Sequence, residues 1–209
     1  MILLLGSALA LLVALLRGGR FSRLSGVTLR YGWIAPLAFA LQVAVIYFPL
    51  SQPKGLWGWH ALLLVSSYVL LILVVSLNWR LPGLPLVGLG LGLNLLVMVA
   101  NGGFMPVTYE ALQRAGMAHL ALSDAPGSRI MATKDIVLPL ESTRLWVLSD
   151  VFVLPPPLPV RSIFSLGDLC LVGGMFVLFQ RLMCPRSHHG RTNEAQGRSG
   201  EFLASPPLT

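Results

Sequence analysis

Five apolar runs, nearly free of ionisable side chains, constrain this chain more than any other feature. They cover Ile2 to Leu16, Tyr31 to Leu50, Gly58 to Leu77, Leu84 to Ala100, and Leu166 to Met183. Crossing the hydrocarbon layer takes about 20 apolar residues, and a soluble domain is about a quarter charged. This chain is 11% charged and 55% hydrophobic, with mean hydropathy +0.76. The expected fold class is an all-α integral membrane protein with five transmembrane helices over residues 1–183. The first run has only fifteen residues, and a few neighbours and some bilayer thinning complete it.

A formal charge of +7 and a pI near 10.3 raise the question of nucleic acid. The basic residues form no stripe interleaved with aromatics on a soluble domain, so no nucleic-acid partner is expected. They lie between the apolar runs instead. Arg17, Arg20, Arg23 and Arg30 fill the first connection, Arg80 sits in a short turn, and Arg181, Arg186, Arg191 and Arg198 close the chain. Short loops rich in Lys and Arg stay cytoplasmic, and a five-helix path puts all three groups on one side. The N-terminus and the segment from Asn101 to Ser165 are therefore expected outside, and the C-terminus cytoplasmic. That segment holds five basic and five acidic residues, so its own charge is silent. Trp57, Trp59 and Trp79 fall at the predicted boundaries, where interfacial aromatics belong. Arginines follow the first run and none precedes it, the reverse of a cleaved signal peptide, so the run is expected to be retained.

Inside the runs the polar residues are few: Gln42, Ser66, Ser67, Tyr68 and Asn94. Ion-coupled carriers place ionisable groups at mid-membrane, so ion coupling is not expected, and the absence of an internal repeat opposes an inverted-repeat transporter. Gly88, Gly90 and Gly92 predict close helix packing, with Gly88 and Gly92 in small-xxx-small spacing. Asn94 and Asn101 are seven apart and share a helix face, either as interhelical hydrogen bonds or as the lower wall of an outward-facing cleft. Cys170 and Cys184 are fourteen residues apart, roughly 21 Å along a helix, too far for a disulfide. Residues 184–209 are polar and rich in Gly, Ser and Pro, and predict a disordered cytoplasmic tail. His188-His189 lies there without the further ligands a metal site needs, so neither a metal nor another cofactor is expected.

The outer segment is patterned. Thr108 can cap a helix over Tyr109 to His119 lying on the membrane surface, with Glu110 in the favourable first turn. Asp124, Pro126 and Gly127 predict a turn. Thr143 to Phe152 is apolar with Trp146, and Pro155-Pro156-Pro157 and Pro159 force an extended return. Two motifs frame this structured lid. Asn101-Gly102-Gly103-Phe104-Met105-Pro106 stops the fourth helix, and Ser165-Leu166-Gly167-Asp168 matches a capping box at the start of the fifth.

Leu81 to Pro85, Asn101 to Pro106, Thr143 to Leu145 followed by Asp150, and Phe164 to Asp168 together resemble an uncharacterised family of bacterial membrane proteins, a domain of unknown function. The resemblance covers nearly all of Met1 to Met183, implies a multipass protein of the bacterial inner membrane, and brings no activity with it. Ser149-Asp150-Val151-Phe152, then Phe164 to Asp168 with Gly174 six residues on, is also similar to the end of lipoprotein signal peptidase. That resemblance implies Asp150 and Asp168 as a catalytic dyad at the outer face. Ser165 stands where that family has asparagine, its upstream Asn-x-x-Asp-Arg is missing, and it has four helices.

The leading expectation is a membrane protein whose outer lid binds a lipid, a peptide such as a lipopeptide, or a protein partner. Its binding candidates are Asn94, Asn101, Gly102, Gly103, Met105, Pro106, His119, Thr143, Phe164 and Ser165. The alternative is a membrane-interface aspartyl hydrolase in which Asp150 and Asp168 share a proton. A small lipid or solute transporter comes third.

Overall fold

The computed structural model describes residues 2–47, 58–155 and 161–184. Its helices are α1 (Ile2–Leu16), α2 (Ile34–Tyr47), α3 (Trp59–Leu77), α4 (Leu84–Ala100), a short α5 (Tyr109–Arg114) and α6 (Leu166–Met183). Each apolar run thus becomes one helix. α3 and α6 are long and apolar enough to cross a membrane, while α1, α2 and α4 are shorter apolar helices. The expected tail, His188-His189 and Trp57 lie outside the described residues.

Neighbours in the bundle run α2, α3, α4, α6, α1. The α4–α6 seam is built on two glycine pairs, Gly83 with Gly90 and Gly167 with Gly174. A Cβ at Gly90 would strike the Gly167 carbonyl and Leu171, and one at Gly174 would strike Val87 and the Gly83 carbonyl. Backbones approach this closely only where no side chain intervenes, which supplies packing that lipid exposure cannot. The expected Gly88/Gly92 pairing is corrected here: a Cβ at Gly92 meets open space, and one at Gly88 meets only Val75 of α3. The operative spacing is seven, carried on both helices.

The two ends of the bundle differ. At one end Asn78 bonds both the N–H and the carbonyl of Arg30, at 2.8 and 2.9 Å, and the Arg23 guanidinium donates to the Met183 carbonyl at 2.8 Å. The first connection, the short turn and the end of α6 are thereby tied together, with the arginines gathered around them. At the other end the Ile2 N–H donates to Ser162 Oγ, joining the start of α1 to the lid.

The lid departs from the all-α expectation, since the chain is mostly helical but carries two small sheets. β1 (Met105–Val107) pairs in parallel with β2 (Asp135–Val137), Met105 opposite Asp135. On its other side Val107 bridges to Asp150. β3 (Phe152–Leu154) and β4 (Ser162–Phe164) form an antiparallel pair. Gly102 and Gly103, at φ 84° and 90°, turn the chain off α4, and Pro106 bars further helix. The buried backbone that follows satisfies its hydrogen bonds by strand pairing instead. The expected helix from Tyr109 to His119 also shortens to Arg114. Thr108 does cap it, accepting from Ala111 N–H at 3.1 Å, but Gly116 at φ 67° ends it, with Met117 N–H closing back on the Leu112 carbonyl at 2.8 Å.

One core fills the bundle and runs up into the lid through Phe104, Met105 and Ile136. A second lies inside the lid around Val107, Leu112, Ile130 and Val137. β1 runs between them and is buried along its whole length, which fixes the lid to the bundle.

Candidate functional site

The start of α6 meets α4 in a closed polar ring. Ser165 Oγ accepts from the Asp168 N–H at 3.1 Å while Asp168 Oδ2 accepts from the Ser165 N–H, the capping box expected from the sequence. Asn94 enters from α4: its Nδ2 donates to Asp168 Oδ1 at 2.9 Å and its Oδ1 accepts from the Ser165 hydroxyl at 2.9 Å. Gly167 allows this, because any Cβ there would overlap Asn94 Oδ1. All three polar residues are buried. Every polar atom of the Asn-Ser-Asp ring that the cap needs is already engaged within it.

Above this ring sits a charged group that the sequence reading passed over. Lys134 Nζ lies 3.6 Å from Asp135 Oδ1, at the start of β2. Asp150 is buried on the opposite side of β1, and its Oδ1 has no hydrogen-bond partner. Burial pushes the Asp150 carboxyl well above the usual carboxylate range; Asp135 and Asp168 push it further, and Lys134 opposes them. Burial also raises Asp135, against the pull of Lys134. For Lys134, burial favours the neutral amine, but Tyr68 and the three aspartates outweigh it and hold the ammonium well above its ordinary value. One cation thus serves three carboxylates, and of them Asp150 is the one whose proton affinity burial raises furthest. The signal was present as an adjacent Lys-Asp pair opening the apolar Ile136-Val137-Leu138, a charge placed where a strand enters a core.

Asp135 also faces a cavity of about 90 Å³ inside the lid. Its walls are mainly apolar, from Val107, Leu112, Met117, Ile130 and Ile163, and Arg161 stands among the lining residues. Asp135 Oδ1 is buried without a hydrogen bond, although Lys134 is near it.

The remaining sequence candidates separate into scaffold and surface. Asn101 Nδ2 donates to the Arg144 carbonyl and its Oδ1 accepts from the Arg144 N–H, both at 2.9 Å, so it anchors the lid rather than lining a cleft. Gly102 turns the chain, and Gly103 leaves room for Ala61 of α3. Met105 and Pro106 are buried in β1. Thr143 donates to the Pro139 carbonyl at 2.8 Å and closes a turn. Phe164 stacks on Phe152 at 5.5 Å. His119 is exposed and outside the group, because α5 stops before reaching it. Both cysteines are free. Of the two aspartates, Asp168 is the cap and Asp150 holds the unpartnered oxygen.

Fold and site together define a helical bundle with an apolar exterior, capped by a small mixed lid with buried charge at its base. No solved structure matches it. The chain belongs to DUF5317, a family of unknown function, which it matches over residues 26–180. It is also 25% identical over 175 residues to an uncharacterized protein of Thermotoga maritima, covering 82% of this chain and 86% of that protein.

Proposed function

We propose that this is a five-span protein of the bacterial inner membrane whose outer lid binds the amine-bearing end of a membrane lipid or lipopeptide. The cavity carries the reading: its size fits one headgroup or one side chain, and its apolar walls end at the Asp135 carboxylate. An ammonium entering there would share the Asp135 carboxylate with Lys134, whose Nζ lies 3.6 Å from Oδ1, and Arg161 can meet the neighbouring phosphate or carboxylate. Membrane embedding is supported by large apolar side chains left exposed on all five long helices, for example Leu9, Phe39, Val69, Leu89 and Phe176. Sidedness is supported by the arginines gathered at the end away from the lid. Leu145, Trp146 and Val147 form an exposed apolar turn on the lid, suited to rest in the interface.

Native mass spectrometry of the full chain, purified with its lipids, tests this. Wild type should retain an amine-bearing adduct that Asp135→Asn weakens and Ile163→Trp, which fills the cavity, removes. Equal retention by all three overturns the reading.

The unpartnered Asp150 oxygen favours a second reading, hydrolysis at the outer face. Asp150 would supply the proton and Asp168 would act as base on water, but Asp168 would first have to leave the cap it shares with Ser165 and Asn94. Loss of a measured cleavage in both Asp150→Asn and Asp168→Asn, with folding intact, would select this reading over binding alone.

A further inference from the structure

A second group of buried donors lies beside α3, away from the lid cavity. His60 stands in the first turn of α3, 2% exposed, and its Nε2 has no partner. Arg129 reaches across from the lid, 9% exposed, with its guanidinium over the Phe104 ring at 5.4 Å. Its terminal nitrogens make only long contacts of 3.4 Å to the carbonyls of Val45 and Thr133, and its Nε has no partner. Arg129 lies by the start of α3: Phe104, under its guanidinium, follows Gly103, which sits directly against Ala61, the residue after His60. Among the described residues the start of α3 has no side-chain cap, Gly58 being its N-cap, and a helix start presents backbone N–H groups that seek acceptors.

A buried guanidinium ordinarily faces an anion, because neutral carbonyls do not repay its desolvation. Asp135 is near enough to steady the Arg129 charge but is paired with Lys134. Among the described residues that ion pair is the one present. The C-terminal carbonyl of α2 offers Arg129 only a partial negative charge. Two buried side chains with unpartnered nitrogens, His60 and Arg129, and a helix start without a side-chain cap therefore lie together with no anion among the described residues.

We propose that His60, Arg129 and the N-terminus of α3 form a phosphate-binding site at the outer end of the bundle. Helix N-termini and arginine forks both match phosphate oxygens, one through backbone N–H groups and the other through parallel donors. The phosphate can belong to a lipid headgroup or be free in solution. Trp59, 49% exposed and with its ring tilted 34° to that of His60 at 4.1 Å, marks a depth that lipid phosphates reach if the helices span as proposed above. This site is separate from the amine-accepting cavity and stands if that cavity binds nothing.

The full chain in maltoside micelles, which lack phosphate, is titrated with inorganic phosphate while the His60 side-chain nitrogen signals are followed by NMR, assigned with His60→Gln. Affinity is measured by calorimetry, and phosphatidylglycerol nanodiscs form a second arm. A saturable shift of His60 Nε2 with inorganic phosphate identifies a soluble-anion site, and a shift in nanodiscs alone identifies a headgroup site; either supports the proposal. Loss of one charge-assisted hydrogen bond corresponds to about tenfold weaker binding or more, so His60→Gln and Arg129→Lys should each lose that much, and Arg129→Lys retains the charge if Arg129→Gln fails to fold. Arg114→Gln, an exposed lid cation elsewhere, should bind as wild type does. No shift in either arm, or wild-type affinity in both His60→Gln and Arg129→Lys, overturns the site.

Discussion

Asn94→Ala and Gly167→Ala, made singly and together, probe the junction that sets the lid over the bundle. Asn94→Ala removes a donor from the buried Asp168 carboxylate and an acceptor from the Ser165 hydroxyl. A hydrogen bond to a charged group is worth about 1.5–3 kcal/mol and a neutral one about 1, so the single change should cost about 3 kcal/mol. Gly167→Ala drives a methyl into Asn94 Oδ1 and close to the Gly90 carbonyl, 2.8 Å from the new Cβ. Overpacking of this kind costs about 1–3 kcal/mol, against a helix-propensity gain of about 1. In the Asn94→Ala background the worse clash is gone, so Gly167→Ala should cost at least about 1 kcal/mol less there than in wild type. Equilibrium unfolding in mixed micelles, followed by tryptophan fluorescence, gives the four stabilities. Strict additivity, or a fully stable Asn94→Ala, would refute the closed Asn94–Ser165–Asp168 ring.

Other expectations follow from the same contacts. Asp150 holds its proton more tightly folded than unfolded, so its contribution to stability is complete below about pH 3.9 and is lost as pH rises through its higher folded value. Thermal unfolding should therefore show wild-type stability falling with rising pH, and Asp150→Asn should flatten that slope and be the more stable variant at about pH 8; parallel slopes would contradict it. Gly90→Ala should destabilise the α4–α6 seam by about 1–3 kcal/mol, while Gly92→Ala, facing open space, should be neutral or stabilising by up to about 1. Asn101→Ala removes two bonds to the Arg144 backbone and should cost about 2 kcal/mol, seen as roughly thirtyfold faster exchange of the Arg144 amide if that amide exchanges by local opening.

The helices were legible because hydropathy alone marks them, and Ser165 with Asp168 was legible because a capping box is a local pattern. What lay beyond local pattern was missed. Asn94 reaches Ser165 and Asp168 across 71 and 74 residues of chain, and only the bare backbone at Gly167 makes room for it. The lid strands are three residues each, too short to show an alternating period, and β1 pairs with a partner thirty residues away. Lys134 and Asp135 drew no expectation because nothing nearby in sequence announces that β2 enters the core. Arg129 and His60 were hidden for the same reason, since their approach depends on how the lid lies across α2 and α3. The glycine seam was visible in part, as the cluster Gly88, Gly90 and Gly92 on α4, but it is α6 that selects Gly90 from it and adds Gly83 at the helix start.

In the proposed function the lid cavity receives a group from the membrane. A diazirine-bearing residue in place of Met117, on the cavity wall, irradiated in intact cells and followed by mass spectrometry of the protein, tests it most directly. The account predicts a covalent adduct with the mass of an acylated, amine-bearing molecule, lost when Ile163→Trp fills the cavity. Adducts of water alone, or the same acylated adduct with the cavity filled, would contradict it.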